Sequence, residues 1–364
     1  MKKLALGLIL TAMLSACGQE NKPADTQTKP TVKIGAILPL TGNTAVLGNA
    51  AKAGLQKALA EKSQQDLHYN YELILENNMG TTAATATAAN KLIFQDNVDA
   101  VVTFTRGMGH IVAPIADQQN KLNFCVTFEE KSAPAMGKNS FVQGVATEDL
   151  HDKLVNILQN QHINNLAIIA ANVSNSAQMA DMLKQKAENS GIKAVTNIFN
   201  PGERNFQMLI EGLKKDGFDT YYISAFPPET DIIIKQLHEA GISNQSIYGQ
   251  GIDSSRNFAQ FEGISCFTLN LGSSHFIDAV TQEYNISNVF GTAANYDIFN
   301  LIVNCYEKLY TSNGKPTTAE IVNYITNLGH YNCEAGGCTV LPNHFIINPP
   351  ARRTYQNGKA VILD

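Results

Sequence analysis

Short apolar runs alternate with longer amphipathic stretches along this chain, and the whole alternation occurs twice. In the first pass, residues 32–38 (VKIGAIL) read as a buried strand ended by Pro39 and the Thr41-Gly42 turn. Residues 47–61 read as a helix with Ala50, Gly54 and Ala58 on one packed face. Strands follow at 71–75, 100–104 and 123–127, with helices at 81–95 and 111–120 between them. The second pass has strands at 166–170, 194–199 and 220–224. Its helices span 176–190, 206–215 and 230–240, closed near Gly191, Gly217 and Gly241. Alternation of this kind implies βαβ units and parallel sheets covered on both faces. Two such halves predict two α/β lobes with a cleft between them. Ligands of open α/β sheets sit at the carboxyl ends of the strands. The loops after Leu38, Phe104, Thr127, Ala170, Ser224 and Gly249 are therefore expected around the cleft.

The 364 residues are 44% hydrophobic and 16% charged, enough for two cores, with a formal net charge of −5. The basic residues are scattered and no aromatic-plus-basic stripe occurs, so nucleic acid is not an expected partner. The beginning is different. Lys2 and Lys3 precede an apolar run over 4–14, then Leu14-Ser15-Ala16-Cys17, which is the pattern of a secretory signal. The L-S-A-C sequence resembles the lipobox of bacterial lipoproteins. That resemblance implies a signal peptide over 1–16, cleavage before Cys17, lipid on Cys17 and an exported chain anchored to the cell envelope. Residues 17–31 are polar, contain two prolines and read as a flexible tether.

Cys333 and Cys338 enclose Glu-Ala-Gly-Gly, whose glycines let the chain close a small disulfide loop in an oxidising compartment. Zinc is the rival there, but no second close cysteine pair or His-x-x-x-His accompanies it. Cys125, Cys266 and Cys305 lie in apolar segments and read as small buried hydrophobes. Neither a metal nor a cofactor is expected. The chain has no G-x-S-x-G elbow, H-E-x-x-H pair or phosphate-binding glycine loop, so the enzyme class has no sequence support.

VKIGAILPLTGNTAVLGNAAKAG resembles the opening of type I periplasmic binding proteins of the branched-chain amino-acid class. Further matches follow in order at NPGERNFQMLIEGLKKDGFDTYYISAFPPETDIIIKQLHEAGI, NYDIFNLIVNCYEKL and TYQNGKAVIL. The resemblance implies two Rossmann-like lobes of parallel sheets flanked by helices, joined by a three-crossover hinge that closes on ligand. Lobe one would hold 32–145 plus 275–340, and lobe two 146–274 plus 341–364. It also implies a monomer, an amino-acid-like or related small polar ligand, and the membrane subunits of an ABC permease as partner.

By the same resemblance, two strand-end loops of lobe one would grip the ligand carboxylate: Thr105-Arg106-Gly107-Met108-Gly109, and the loop beginning Thr127-Phe128-Glu129-Glu130. Arg106 stands where the family has small hydroxyls, and Glu129 would repel a carboxylate unless Arg106 offsets it. Ser174, Phe226, Gln250 and Asp253 would complete the site from lobe two, with Phe226 as apolar lid and Asp253 as partner of a ligand ammonium. These departures leave a second reading open, an envelope scaffold or regulatory lipoprotein that has lost its transport ligand. An empty cleft distinguishes the binder. A filled cleft with an exposed apolar patch distinguishes the scaffold.

Overall fold

The structure, a computed structural model, describes residues 29–363 other than 43, 174–175, 251–257 and 358. Cys17, Ser174 and Asp253, with the signal region, lie outside the described residues.

The first pass of the chain is β1 (Thr31–Leu38), α1 (Ala45–Lys62), β2 (Asn70–Asn77), α2 (Thr82–Asn90) and β3 (Ala100–Phe104). It ends with α3 (Arg106–Gln118), β4 (Leu122–Glu129) and β5 (Ser140–Ala146). The second runs α4 (Thr147–Asn160), β6 (Asn165–Ala171), α5 (Ser176–Asn189), β7 (Lys193–Phe199) and α6 (Gln207–Lys215). It continues through β8 (Tyr221–Ser224), α7 (Glu229–Glu239), β9 (Ile247–Gln250) and β10 (Ser265–Leu269). The chain then makes α8 (Ser274–Tyr284), α9 (Thr292–Lys308), α10 (Thr318–Thr326), β11 (His330–Tyr331), β12 (Cys338–Val340) and β13 (Phe345–Asn348). Last come β14 (Pro350–Gln356) and β15 (Lys359–Ile362).

Two sheets result, ordered β11-β12-β13-β5-β4-β3-β1-β2 and β15-β14-β10-β9-β8-β6-β7. Strands β1 to β5 pair in parallel, as do β6 to β10. Every residue of β3, β5 and β8 is buried, as expected of parallel strands covered by helices on both faces. The small face of α1 packs on α9. A Cβ at Gly54 would lie 2.1 Å from the Thr292 carbonyl oxygen, so the two helix backbones touch because that position is glycine. The Thr292 hydroxyl closes the contact by donating to the Ala50 carbonyl at 3.1 Å. Among the described residues no helix is long and apolar enough to cross a membrane.

The structure departs from the sequence reading in three places. Helix α3 begins at Arg106, not at 111: the Gly109 N–H bonds to the Thr105 carbonyl at 3.1 Å and closes the first turn, so Arg106, Gly107 and Met108 are helical rather than loop residues. Strand β4 runs on to Glu129, so Thr127, Phe128 and Glu129 belong to the strand. The assignment of 341–364 to lobe two fails for β13, which pairs in parallel with β5 (Phe345 opposite Val142) inside the first sheet. Neither sheet is purely parallel, since β11-β12-β13 and β10-β14-β15 pair antiparallel at the edges.

The chain passes from one sheet to the other three times: between Ala146 and Thr147, through 270–273, and at Pro349. Beside these crossovers the sulfurs of Cys333 and Cys338 stand at bonding distance, with Cα atoms 5.9 Å apart. Gly336 and Gly337 turn the loop with φ of 86° and 103°. Under it lies Asp297 of α9, 4% exposed, accepting N–H bonds from Glu334 (2.7 Å) and Ala335 (2.9 Å). Burial pushes the Asp297 carboxyl up to about 7 against those two bonds. A folded-state value raised from an ordinary carboxyl near 4 gives stability that is complete below about pH 4 and is lost as pH rises through about 7. Urea unfolding between pH 4 and 8 should therefore show a shallower decline for Asp297→Asn than for the wild type. Equal slopes would remove Asp297 as the source.

Candidate functional site

Parallel strands that share a direction share a carboxyl edge, and the edge made by β1, β2, β3 and β4 borders the cleft. A cavity of about 190 Å³ lies there. Phe104, Phe128 and Phe290 form one aromatic wall, with ring centroids 6.0 Å apart for Phe104–Phe290 at 72° and 6.2 Å for Phe128–Phe290. Met108 adds a thioether whose sulfur accepts the Thr85 hydroxyl at 3.1 Å. Phe226 reaches in from the second lobe and is 44% exposed, while the other described lining residues come from the first.

Polar groups at this cavity come from Thr44, Asn78, Thr105 and Thr127, and none of the described residues lining it is charged. Two helices begin at it. Thr44 and Leu47 bring the first turn of α1, and Thr105 and Met108 the first turn of α3. The dipoles of both helix starts favour a negative group. Thr105, at the start of α3, has φ 73° and ψ 145°, costly for a β-branched residue, and its N–H is fixed to the Val126 carbonyl at 3.0 Å.

Met108, Thr127, Phe128 and Phe226 line this cavity. Arg106, Gly107, Glu129 and Gln250 do not. Arg106 forms an ion pair with Glu129 and donates to the Pro134 carbonyl at 3.2 Å, so its guanidinium is engaged inside lobe one. Glu129 is 4% exposed; burial raises its pKa and the Arg106 charge opposes that rise. A Cβ at Gly107 would meet nothing within 4 Å, so no close approach requires glycine there. Gln250 is buried and accepts the Tyr222 hydroxyl at 3.3 Å. The acidic turn faces the other lobe instead of the cavity. Glu130 accepts from Gln178 of α5 at 2.5 Å, the Lys131 N–H donates to Glu148 at 3.1 Å, and the Lys131 ammonium pairs with Asp149.

The sequence reading missed Phe104 and Phe290 as site residues. Phe104 ends a continuously buried strand, and Phe290 lies just before α9. Only the meeting of two distant segments reveals them.

A family model described as a periplasmic binding protein matches residues 31–343, and the chain belongs to that family. A Leu/Ile/Val-binding protein of Rhizobium johnstonii is 25% identical over 236 residues, 63% of this chain and 64% of that relative's length. A Leu/Ile/Val-binding protein homolog of Brucella abortus is 26% identical over 269 residues, covering 69% of this chain and 67% of the relative. A leucine-binding protein of Thermotoga maritima shares the fold with a TM-score of 0.78 at 19% identity, over 92% of this chain and 98% of that one. A solute-binding protein of R. palustris in complex with 4-hydroxybenzoate does so with a TM-score of 0.78 at 15% identity, over 92% and 96%.

The ion pair yields a direct test. Arg106→Ala leaves the Glu129 carboxylate buried without its cation and should cost about 3–5 kcal/mol. Adding Glu129→Gln should recover much of that loss in urea unfolding. A single variant as stable as the wild type would show that the pair carries little.

Proposed function

We propose that this chain is the solute-binding component of an ABC importer, and that its ligand is a small carboxylate with a branched or aromatic apolar body. The observation that carries the reading is the phenylalanine-walled cavity at the strand ends, with no charge among its described lining residues and two helix N-termini opening on it. The carboxylate lies against the starts of α1 and α3 and the hydroxyls of Thr105 and Thr127. The apolar body packs on Phe104, Phe128 and Phe290, and Phe226 covers it when the lobes close. Both kinds of ligand named for the relatives and fold neighbours fit this description, hydrophobic amino acids and ring acids. Among the described lining residues no acid is available for an ammonium group, so ring acids and branched keto acids belong in the panel beside amino acids. An open cavity favours binding over the scaffold reading, and the residues assembled are those of recognition rather than of acid–base or nucleophilic chemistry.

The full chain, stripped of bound ligand, should gain about 4 kcal/mol from a ligand at 1,000 times its Kd, visible as a shift of several degrees in thermal melting. Phe290→Ala should weaken that ligand by about 10- to 100-fold, the effect of removing one buried aromatic contact. A folded protein that shifts with no carboxylate in such a panel would overturn the reading. We further propose export and lipid anchoring through Cys17. In a bacterial host the wild-type chain should partition into the detergent phase and Cys17→Ala into the aqueous phase. Aqueous partition of both would exclude the anchor.

A further inference from the structure

The loop closed by Cys333 and Cys338 makes contacts that neither the cavity nor the fold alone accounts for. Asn348, the last residue before the Pro349 crossover, points its Nδ2 at both sulfurs, 3.1 Å from Cys338 Sγ and 3.4 Å from Cys333 Sγ. It also donates to the Gly337 carbonyl at 3.3 Å. Gln143, three residues before the first crossover, directs Nε2 at Cys338 Sγ from 3.8 Å. Glu334 accepts from both the N–H (2.7 Å) and the hydroxyl (2.8 Å) of Ser273 in the 270–273 crossover. A Cβ at Gly336 would lie 2.5 Å from the Asn270 amide and 3.3 Å from the Pro349 ring, so the loop backbone rests on two crossovers at once. The loop joins all three strands of the hinge.

The two sulfurs are not equivalent. Cys338 is fully buried, whereas Cys333 is half-buried and lines a groove of about 790 Å³ between α9, α10 and the loop. Asp297 lines the same groove, and its carboxylate lies within 4.8 Å of both sulfurs. One sulfur is therefore open to attack. The other sits among amide donors that stabilise a thiolate, beside a carboxyl group that can supply a proton.

We propose that Cys333–Cys338 is a thiol–disulfide exchange site, attacked at Cys333 by a dithiol reductant, and that its bond holds the interlobe hinge. A thiolate of the dithiol attacks Cys333 Sγ. As the new S–S bond forms the old one breaks, and Cys338 leaves as a thiolate that takes a proton from Asp297. The second thiol of the reductant, as thiolate, then displaces Cys333, which is protonated from solvent through the groove. The reductant departs as its own disulfide, and two electrons have passed to the cysteine pair. With the bond open the loop no longer fixes Ser273, Asn270 and Pro349 together, and the hinge strands loosen. This goes beyond the ligand reading, and its test needs no ligand.

The test uses the full chain under native conditions with peptide mapping by mass spectrometry. Cys338→Ser incubated with oxidised glutathione should acquire a mixed disulfide at Cys333, and Cys333→Ser should acquire none at Cys338. The buried Cys125, Cys266 and Cys305 serve as internal controls for folding, since modification of any of them reports an opened core. For wild-type protein reduced by dithiothreitol, amide hydrogen exchange at 270–273 and at Asn348 should accelerate at least tenfold while the cores of both sheets stay protected. This second measurement stands even if a serine variant fails to fold. Equal glutathione capture at the two positions, absence of capture at Cys333 in folded protein, or hinge amides unchanged on reduction would each overturn the proposal.

Discussion

Parallel pairing is the constraint on which the rest of this structure depends. Parallel neighbours must be joined by a crossover, usually helical, that returns the chain to the opposite edge. Every strand from β1 to β4 therefore delivers its carboxyl end to the same border of the first sheet. The helices that follow β1 and β3 begin at that border and turn the positive ends of their dipoles toward it. The cavity inherits its chemistry from this arrangement: hydroxyls and helix starts at one end, and the last apolar side chains of buried strands at the other. Phe104 and Phe128 line the site because they are where the core runs out of strand.

The same border shows why a charged residue next to a binding site need not be part of it. Glu129 is the last residue of β4 and is almost fully buried, a position that is costly for a carboxylate without a cation. Arg106, in the first turn of α3, meets that need from the neighbouring strand end. Once paired, neither charge is left over for a ligand, and none of the described residues lining the cavity beside them is charged. Glu130 and Lys131 then direct their polar groups across to Gln178, Glu148 and Asp149 of the second lobe. The acidic turn that departs from the family pattern is thereby occupied by interlobe bonding.

Much of this architecture is legible in the sequence, for physical reasons that differ by element. The buried runs of β1, β3 and β6 are too apolar to be anything but covered strands, and the Ala50-Gly54-Ala58 face marks the helix that must approach another closely. Met108, Thr127, Phe128 and Phe226 are found because strand-end positions in a doubled α/β chain have one destination. What escapes the reading depends on distance along the chain. Phe290 joins Phe104 across 185 intervening positions, and nothing local to it signals a site. Arg106 misleads because sequence gives its charge and its place near the cleft but not its partner. Strand β13 is short and follows a turn, so only its pairing with β5 reveals its lobe.

Two rigid lobes joined by three strands can rotate only about a region those strands share. In this chain one six-residue loop bonds or abuts residues of the 270–273 and 349 crossovers and Gln143 of β5, the strand that leads into the crossover at 146–147. A cross-link spanning six residues constrains the backbone of its own loop and removes less chain entropy than one closing a long loop. The cysteine pair therefore acts less by stabilising the fold as a whole than by fixing local geometry. It holds Gly336 and Gly337 in left-handed turns and keeps the Glu334 and Ala335 N–H groups over Asp297. Asp297 belongs to α9, and α9 packs along α1, whose first turn opens on the ligand cavity. Asp297 under the loop and Phe290 at the cavity thus stand at the same N-terminal end of α9, so loop and cavity border one pair of packed helices.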